Sequence, residues 1–198
     1  MTALAPSAPR LRDPSGAVVH APATRWFGSA SPAEHRALAD VAGPVLDIGC
    51  GPGRHVLALA ERGVPSLGID ITAPALRHAR AKGVAVLERC VFDRVPAAGR
   101  WRSALLLDGN LCIGGDPMQL LRRVRELLAP AGGVLVETEP AATRAPDRIR
   151  FEVDAFAGPW FAWTAVAAAD LGGIATAAGF HVARTWTDDG RCFGWLRS

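Results

Sequence analysis

The clearest pattern along the chain is a short apolar run, Val45-Leu46-Asp47-Ile48, that holds one acid and feeds directly into Gly49-Cys50-Gly51-Pro52-Gly53. The run suits a buried parallel strand, and glycines spaced two apart suit a turn where backbone approaches a ligand closely. A helix over about 52–62 follows, with Pro52 where a missing N–H is tolerated and Gly63 as its stop. Upstream, Ser31-Pro32-Ala33-Glu34 is a capping box with proline at the first helical position, and it predicts a helix over 32–41. Downstream, Ser66-Leu67-Gly68-Ile69-Asp70 is a second apolar run ending in an acid, after which Thr72 can cap a helix over 73–82 closed by Gly83. Residues 84–87 and 104–107 read as strands three and four. Asp116-Pro117 opens a helix with Leu120, Leu121, Val124, Leu127 and Leu128 on one face, broken by Pro130 and Gly132-Gly133 before strand five at 134–136.

Beyond that point the pattern weakens. The region 138–165 reads as irregular, with Pro140, Pro146 and Pro159 beside Trp160, Phe161 and Trp163, and an alanine-rich helix is predicted over 166–178. Two apolar runs at 180–186 and 192–196 flank Asp188-Asp189-Gly190, a hairpin signal. Strands alternating with helices imply a doubly wound α/β fold. Its sheet is mostly parallel and seven-stranded, with helices on both faces and a C-terminal antiparallel hairpin. Residues 1–22, rich in Ala, Pro, Ser and Arg, read as a flexible arm before a single domain over 23–198.

Composition narrows the class. At 198 residues, 49% hydrophobic and 21% charged, the chain is an ordinary globular sequence of one-domain size. A net charge of +3 with no basic run argues against nucleic acid as partner. Cys50, Cys90, Cys112 and Cys192 form no CxxC pair, so reduced thiols in a cytoplasmic protein are expected, and no metal site. No apolar stretch is long enough for a membrane span, and the N-terminus lacks a signal-peptide pattern.

The glycine turn carries the chemistry. A dinucleotide fingerprint would need glycine at 54, where Arg54 stands, and a phosphate-binding P-loop would need a lysine that is absent. What remains is acid-x-Gly-x-Gly-x-Gly. A carboxylate at Asp47 would repel a pyrophosphate and suits a ligand bearing an ammonium or sulfonium.

Asp47-Ile48-Gly49-Cys50-Gly51-Pro52-Gly53 resembles motif I of the class I S-adenosylmethionine-dependent methyltransferases, and Asp70 matches the family's acid for the ribose hydroxyls. The resemblance covers about 43–137. It implies S-adenosyl-L-methionine as cofactor, held by Asp47, Gly49, Cys50, Gly51, Gly53, Asp70 and Ile71. Asp47 would orient the amino group. By register with Val95-Pro96, backbone N–H groups of Val91 and Phe92 would meet the adenine. Asp108, at the end of strand four, would touch the cofactor, and the glycine-rich segment after it would shape the acceptor side.

Methyl transfer needs mainly the positioning and desolvation of two reactants, and a base only where the acceptor must lose a proton. Glu137 and His55 are the candidate bases. Trp26, Asn110 and Trp160 are the candidate acceptor contacts. A small-molecule acceptor is expected, with the protein acting as a monomer or homodimer. Two alternatives stay open: a non-catalytic S-adenosylmethionine-binding regulatory or partner subunit, and aminopropyl transfer from the decarboxylated cofactor.

Overall fold

A computed structural model describes residues 10–19, 23–141, 147–153 and 156–198. In chain order these form β1 (Arg10–Arg12), β2 (Val18–Val19), α1 (Ala23–Trp26), α2 (Pro32–Ala37), β3 (Val45–Ile48), α3 (Arg54–Glu61), β4 (Ser66–Asp70), α4 (Ala73–Ala81) and β5 (Val86–Glu88). There follow β6 (Trp101–Leu106), α5 (Pro117–Leu127), β7 (Leu128–Thr138), β8 (Arg148–Val153), β9 (Phe156–Ala157), β10 (Phe161–Ala162), α6 (Leu171–Ala177), β11 (His181–Asp188) and β12 (Arg191–Arg197).

Seven strands make the main sheet in the order β11-β12-β7-β6-β3-β4-β5. The pairs among β5, β4, β3, β6 and β7 are parallel, and the terminal hairpin of β11 and β12 lies antiparallel against β7. The expected doubly wound sheet with its C-terminal hairpin is therefore the observed one. Asp189 and Gly190, both at positive φ (50° and 71°), make the hairpin turn. The winding reverses between β3 and β6, so the crevice beyond their carboxyl ends is the place for a ligand.

Side chains alternate across each strand, and this decides what each face buries. Leu46, Ile48, Leu106, Val134 and Val136 pack beneath α5 and α6. Val45, Leu105, Leu107, Leu135 and Phe193 face α2 and α3, with Leu38 and Leu59 among their partners. Asp47 and Glu137 fall on the second set by the same alternation, a consequence that governs the site.

Three expectations need correction. Residues 10–19, read as part of a flexible arm, supply β1 and β2 of a second sheet, ordered β10-β8-β1-β2, with β9 beside β8. The rest of that arm, residues 1–9 and 20–22, lies outside the described residues. Part of the stretch read as irregular is also sheet. In β8 the apolar Ile149, Phe151 and Val153 alternate with charged residues, and Arg12 Nε and Arg150 Nη2 hold Glu152 at 2.8 and 2.7 Å. The alanine-rich helix is shorter than expected, a 3₁₀ turn at Ala168–Asp170 leading into α6. Among the described residues no helix is long and apolar enough to cross a membrane.

Candidate active site

The glycine turn caps the crevice. Gly49, Gly51 and Gly53 all have positive φ (73°, 52° and 80°), a region that side chains disfavour. Their reasons differ. A Cβ on Gly49 would sit 2.7 Å from Asn110 Nδ2 and 2.9 Å from Ile113 Cδ1, and one on Gly53 would sit 3.0 Å from Val84 and 3.2 Å from Ala79. A Cβ on Gly51 would meet nothing within 4 Å, and Gly51 itself lines the cavity. Gly53 is thus a packing position rather than a cavity residue, and α3 begins at Arg54, later than Pro52 suggested. Asn110 also serves the turn: its Nδ2 donates to the carbonyls of Ile48 and Gly49, both at 2.9 Å, while it lines the cavity.

Asp70 closes the turn from the next strand. Its Oδ2 accepts from the Gly51 N–H at 2.8 Å and its Oδ1 from the Thr72 N–H at 2.7 Å. Thr72 makes no side-chain cap, so the helix start expected of it is organised by Asp70 instead. Burial pushes the Asp70 carboxyl above its ordinary pKa, with the backbone donors opposing. Ile71, Val91 and Phe92 line the cavity as expected, with Ile71 and Phe92 exposed by 46% and 38% at its rim. Cys50 lines it too, and burial raises its thiol far above the range in which it would ionise.

Beneath the turn lies a buried ionic cluster that the sequence reading did not assemble. Arg54, 5% exposed, donates through Nη2 to Asp108 Oδ1 (2.7 Å) and to Glu34 Oε1 (2.5 Å). Glu34, wholly buried, uses its other oxygen to cap α2 through the Ser31 N–H at 2.6 Å, so one carboxylate completes the capping box and anchors Arg54. Arg25 Nη2 reaches Asp108 Oδ1 at 2.9 Å. Arg191, from β12, grips Glu137 and comes within 2.8 Å of Glu34 Oε1 and 3.4 Å of Asp108 Oδ1.

His55 stands between two acids, Nε2 3.4 Å from Glu34 Oε1 and Nδ1 3.8 Å from Asp47 Oδ2. Burial opposes its charge, yet Asp47 and Glu34 outweigh burial and push its pKa up to about 9. Asp108 moves the other way: burial would raise it, but Arg54, His55 and Arg25 hold it below the usual carboxylate range. Glu34 is likewise lowered, against burial, by His55 and Arg54. Glu34, His55 and Asp108 bring ligand atoms within 4.8 Å of one another, but the Arg54 guanidinium already occupies their centre.

Four expected site residues lie outside the cavity lining: Gly53 and Trp160 as well as Asp47 and Glu137. Asp47, 1% exposed, points under α2 and α3, away from the cavity lining, so its pairing is with His55. Glu137 has both oxygens engaged, Oε1 by Arg191 Nε at 2.7 Å and Oε2 by Arg191 Nη2 at 2.6 Å and the Asp108 N–H at 2.7 Å. It is no free base. His55 does line the cavity, but both of its ring nitrogens lie next to carboxylates, Nε2 by Glu34 and Nδ1 by Asp47.

The cavity itself, about 250 Å³, runs from the turn to a wall built by the second sheet. Leu11, Phe151, Phe161 and Trp163 from that sheet region join Trp26 on the far side. Trp160 stays outside the lining, under the Arg150 guanidinium at 4.6 Å. The glycine-rich segment after Asp108 seats the wall. A Cβ on Gly109 would lie 3.3 Å from Trp163, and one on Gly115 3.0 Å from Ala162.

Comparison with known proteins bears on the fold and the family. A family model described as a methyltransferase domain matches residues 45–132. The fold is similar to that of a Bacteroides fragilis S-adenosylmethionine-dependent methyltransferase crystallised with S-adenosyl-L-homocysteine, with a TM-score of 0.78 and 24% identity over 95% of this chain and 86% of that one. A tRNA U34 carboxymethyltransferase of Methylococcus capsulatus is 32% identical over 81% of this chain and 54% of its own. A trans-aconitate 2-methyltransferase of Methylobacterium radiotolerans is 34% identical over 59% of this chain and 45% of its own. The chain spans between 33% and 54% of the length of the curated relatives it matches. Residues 45–132 match a methyltransferase-domain family, and the fold is that of S-adenosylmethionine-dependent methyltransferases.

Proposed function

We propose that the crevice binds S-adenosyl-L-methionine and that the protein transfers its methyl group to a small-molecule acceptor. The observation that carries the reading is the open side of Gly51 beside the Asp70 carboxylate, at the switch point of a methyltransferase sheet. The residues present fit the group. Gly49 and Gly51 leave backbone at the cavity, Asp70 keeps lone pairs for ribose hydroxyls, and Ile71, Val91 and Phe92 would flank the adenine. Bound there, the sulfonium cofactor supplies an electrophilic methyl carbon to a lone pair of the acceptor.

The protein's part is placement and exclusion of water. Arg54, tied to both Glu34 and Asp108, fixes the end of β6 against the start of α3. Asn110 holds the turn at the same junction. The second sheet shields the far side with apolar surface. A small-molecule acceptor is supported by that apolar wall and by the trans-aconitate methyltransferase among the relatives. Four free cysteines support a cytoplasmic setting, with the protein acting as a monomer or homodimer.

The test begins with S-adenosylhomocysteine and thermal unfolding. A ligand of the native state at a hundredfold excess over its Kd adds about 2.7 kcal/mol of stability, so the melting temperature must rise. Radiolabelled S-adenosylmethionine is then offered with a panel of small molecules and, separately, with total tRNA. Label in a small-molecule product is expected. Label in tRNA alone overturns the acceptor class, and binding without transfer to either favours the non-catalytic alternative.

A further inference from the structure

The cavity wall and the ionic cluster together restrict the acceptor, given the proposed methyl transfer on which this inference rests. We propose that the acceptor is a neutral, flat aromatic molecule whose reactive atom carries its lone pair without help from a protein base.

The first argument is shape and surface. Opposite the glycine turn the cavity presents Leu11, Trp26, Phe151, Phe161 and Trp163, an apolar surface with four aromatic rings. Phe161 and Trp163 stand edge to face, centroids 6.0 Å apart and planes at 75°. Such a pair offers a planar ligand one ring face and one ring edge, the two favoured aromatic contacts. Trp163 also leans on Gly109, next to Asp108, so the aromatic wall adjoins the end of β6 where cofactor and acceptor must meet.

The second argument is charge. Around the reacting end, Arg25, Arg54, His55 and Arg191 are matched by Glu34, Asp47, Asp108 and Glu137, each in contact with an opposite partner. A carboxylate or phosphate acceptor would find no unpaired cation among them and would have to break a buried pair; Arg89 also lines the cavity, but it follows β5 beside Asp70 and Val91, on the side proposed for the cofactor. An ammonium acceptor would find no free carboxylate at the reacting end, since Asp108 already meets Arg54, Arg25 and Arg191, Asp47 lies outside the cavity lining, and Asp70 is taken by the cofactor's ribose. A neutral molecule disturbs none of these pairs.

The third argument is the proton. Asp108 is engaged by three guanidinium groups, His55 lies between two carboxylates, and Asp70 is tied to two backbone N–H groups. Among the described residues, none of these cavity groups is placed to remove a proton from the acceptor. The acceptor's lone pair forms the new bond to the methyl carbon while the carbon–sulfur bond breaks. Sulfur keeps that electron pair and departs as neutral S-adenosylhomocysteine, and any proton on the attacked atom passes to water. An aromatic ring nitrogen meets this requirement; an alcohol does not.

Quinoline, 1-naphthoate and trans-aconitate serve as probes, titrated into the full chain saturated with S-adenosylhomocysteine and followed by tryptophan fluorescence and calorimetry. Quinoline is expected to bind at least tenfold more tightly than either anion, and Phe161→Ala and Trp163→Leu are each expected to weaken it about tenfold. The shift in melting temperature with S-adenosylhomocysteine is read on every variant, which separates misfolding from loss of the acceptor surface. With labelled S-adenosylmethionine, the product expected is N-methylquinolinium. Tighter binding of an anion, or no effect of either substitution on quinoline while the thermal shift is intact, overturns the acceptor class. Loss of the thermal shift in the unaltered protein overturns the methyltransferase reading itself.

Discussion

Arg191, on the last strand of the sheet, grips Glu137 on its neighbour with two arms, Nε to Oε1 at 2.7 Å and Nη2 to Oε2 at 2.6 Å. The same guanidinium approaches Glu34 on α2 and Asp108 after β6. One side chain from the C-terminal hairpin therefore ties together three elements at the floor of the crevice. A two-armed arginine–carboxylate pair shielded from water is strong, and removing one partner strands the other as a buried charge.

Arg191→Ala should accordingly destabilise the fold by about 3–5 kcal/mol, measured by denaturant unfolding. The double change Arg191→Met with Glu137→Leu should be milder than Arg191→Ala, because it removes the stranded carboxylate at 137 and fills the volume. A double variant less stable than Arg191→Ala would show that Glu137 has a partner of comparable strength elsewhere.

The charge on His55 makes stability depend on pH. Its pKa in the folded protein is about 9, above the ordinary value near 6.5, so the folded state holds the proton more tightly than the unfolded chain. The stabilisation is complete below about pH 6.5 and declines as pH rises through 9. A shift of this size corresponds to at most about 3 kcal/mol. Unfolding midpoints measured at pH 6 and pH 9.5 should separate for the natural protein, and the gap should narrow in His55→Gln. Equal gaps in the two proteins would mean that His55 is not the titrating group.

How much of this was legible beforehand follows from the range of each interaction. The glycine turn, Asp70 and the Asp189-Gly190 hairpin are local patterns, and all three stand where the sequence placed them. The ionic cluster is different in kind. Glu34 shows in sequence as a capping residue, but its contact with Arg54 joins α2 to α3, and Arg191 lies 54 positions from Glu137. No local pattern carries such pairings. Asp47 was misplaced for a simpler reason: strand alternation sets it beside Val45 and beneath α3, away from the cavity, and that alternation was available. The period-two pattern in Arg148–Val153 was available as well, although the surrounding prolines disguised it.

Asp70 offers a test of the cofactor side alone. Its carboxylate accepts two backbone N–H groups and has lone pairs left for ribose hydroxyls. Asp70→Asn should weaken S-adenosylhomocysteine binding about 10- to 100-fold by calorimetry, the range expected for hydrogen bonds to a charged group. Because burial raises the pKa of Asp70, affinity in the unaltered protein should also fall as the pH drops into the acid range, and Asp70→Asn should remove that dependence.

The two glycines Gly51 and Gly53 allow the ligand space to be separated from packing. Both have positive φ, so alanine at either carries a backbone strain of roughly 1–2 kcal/mol. At Gly53 the new methyl group also presses on Val84 at 3.0 Å and Ala79 at 3.2 Å, so Gly53→Ala should lose the more stability. At Gly51, which lines the cavity, the methyl meets no protein atom within 4 Å, so Gly51→Ala should keep more of its stability but bind S-adenosylhomocysteine at least tenfold more weakly. Parallel unfolding and titration curves for the two variants decide the matter. If Gly51→Ala binds as the natural protein does, the cofactor does not lie against this turn.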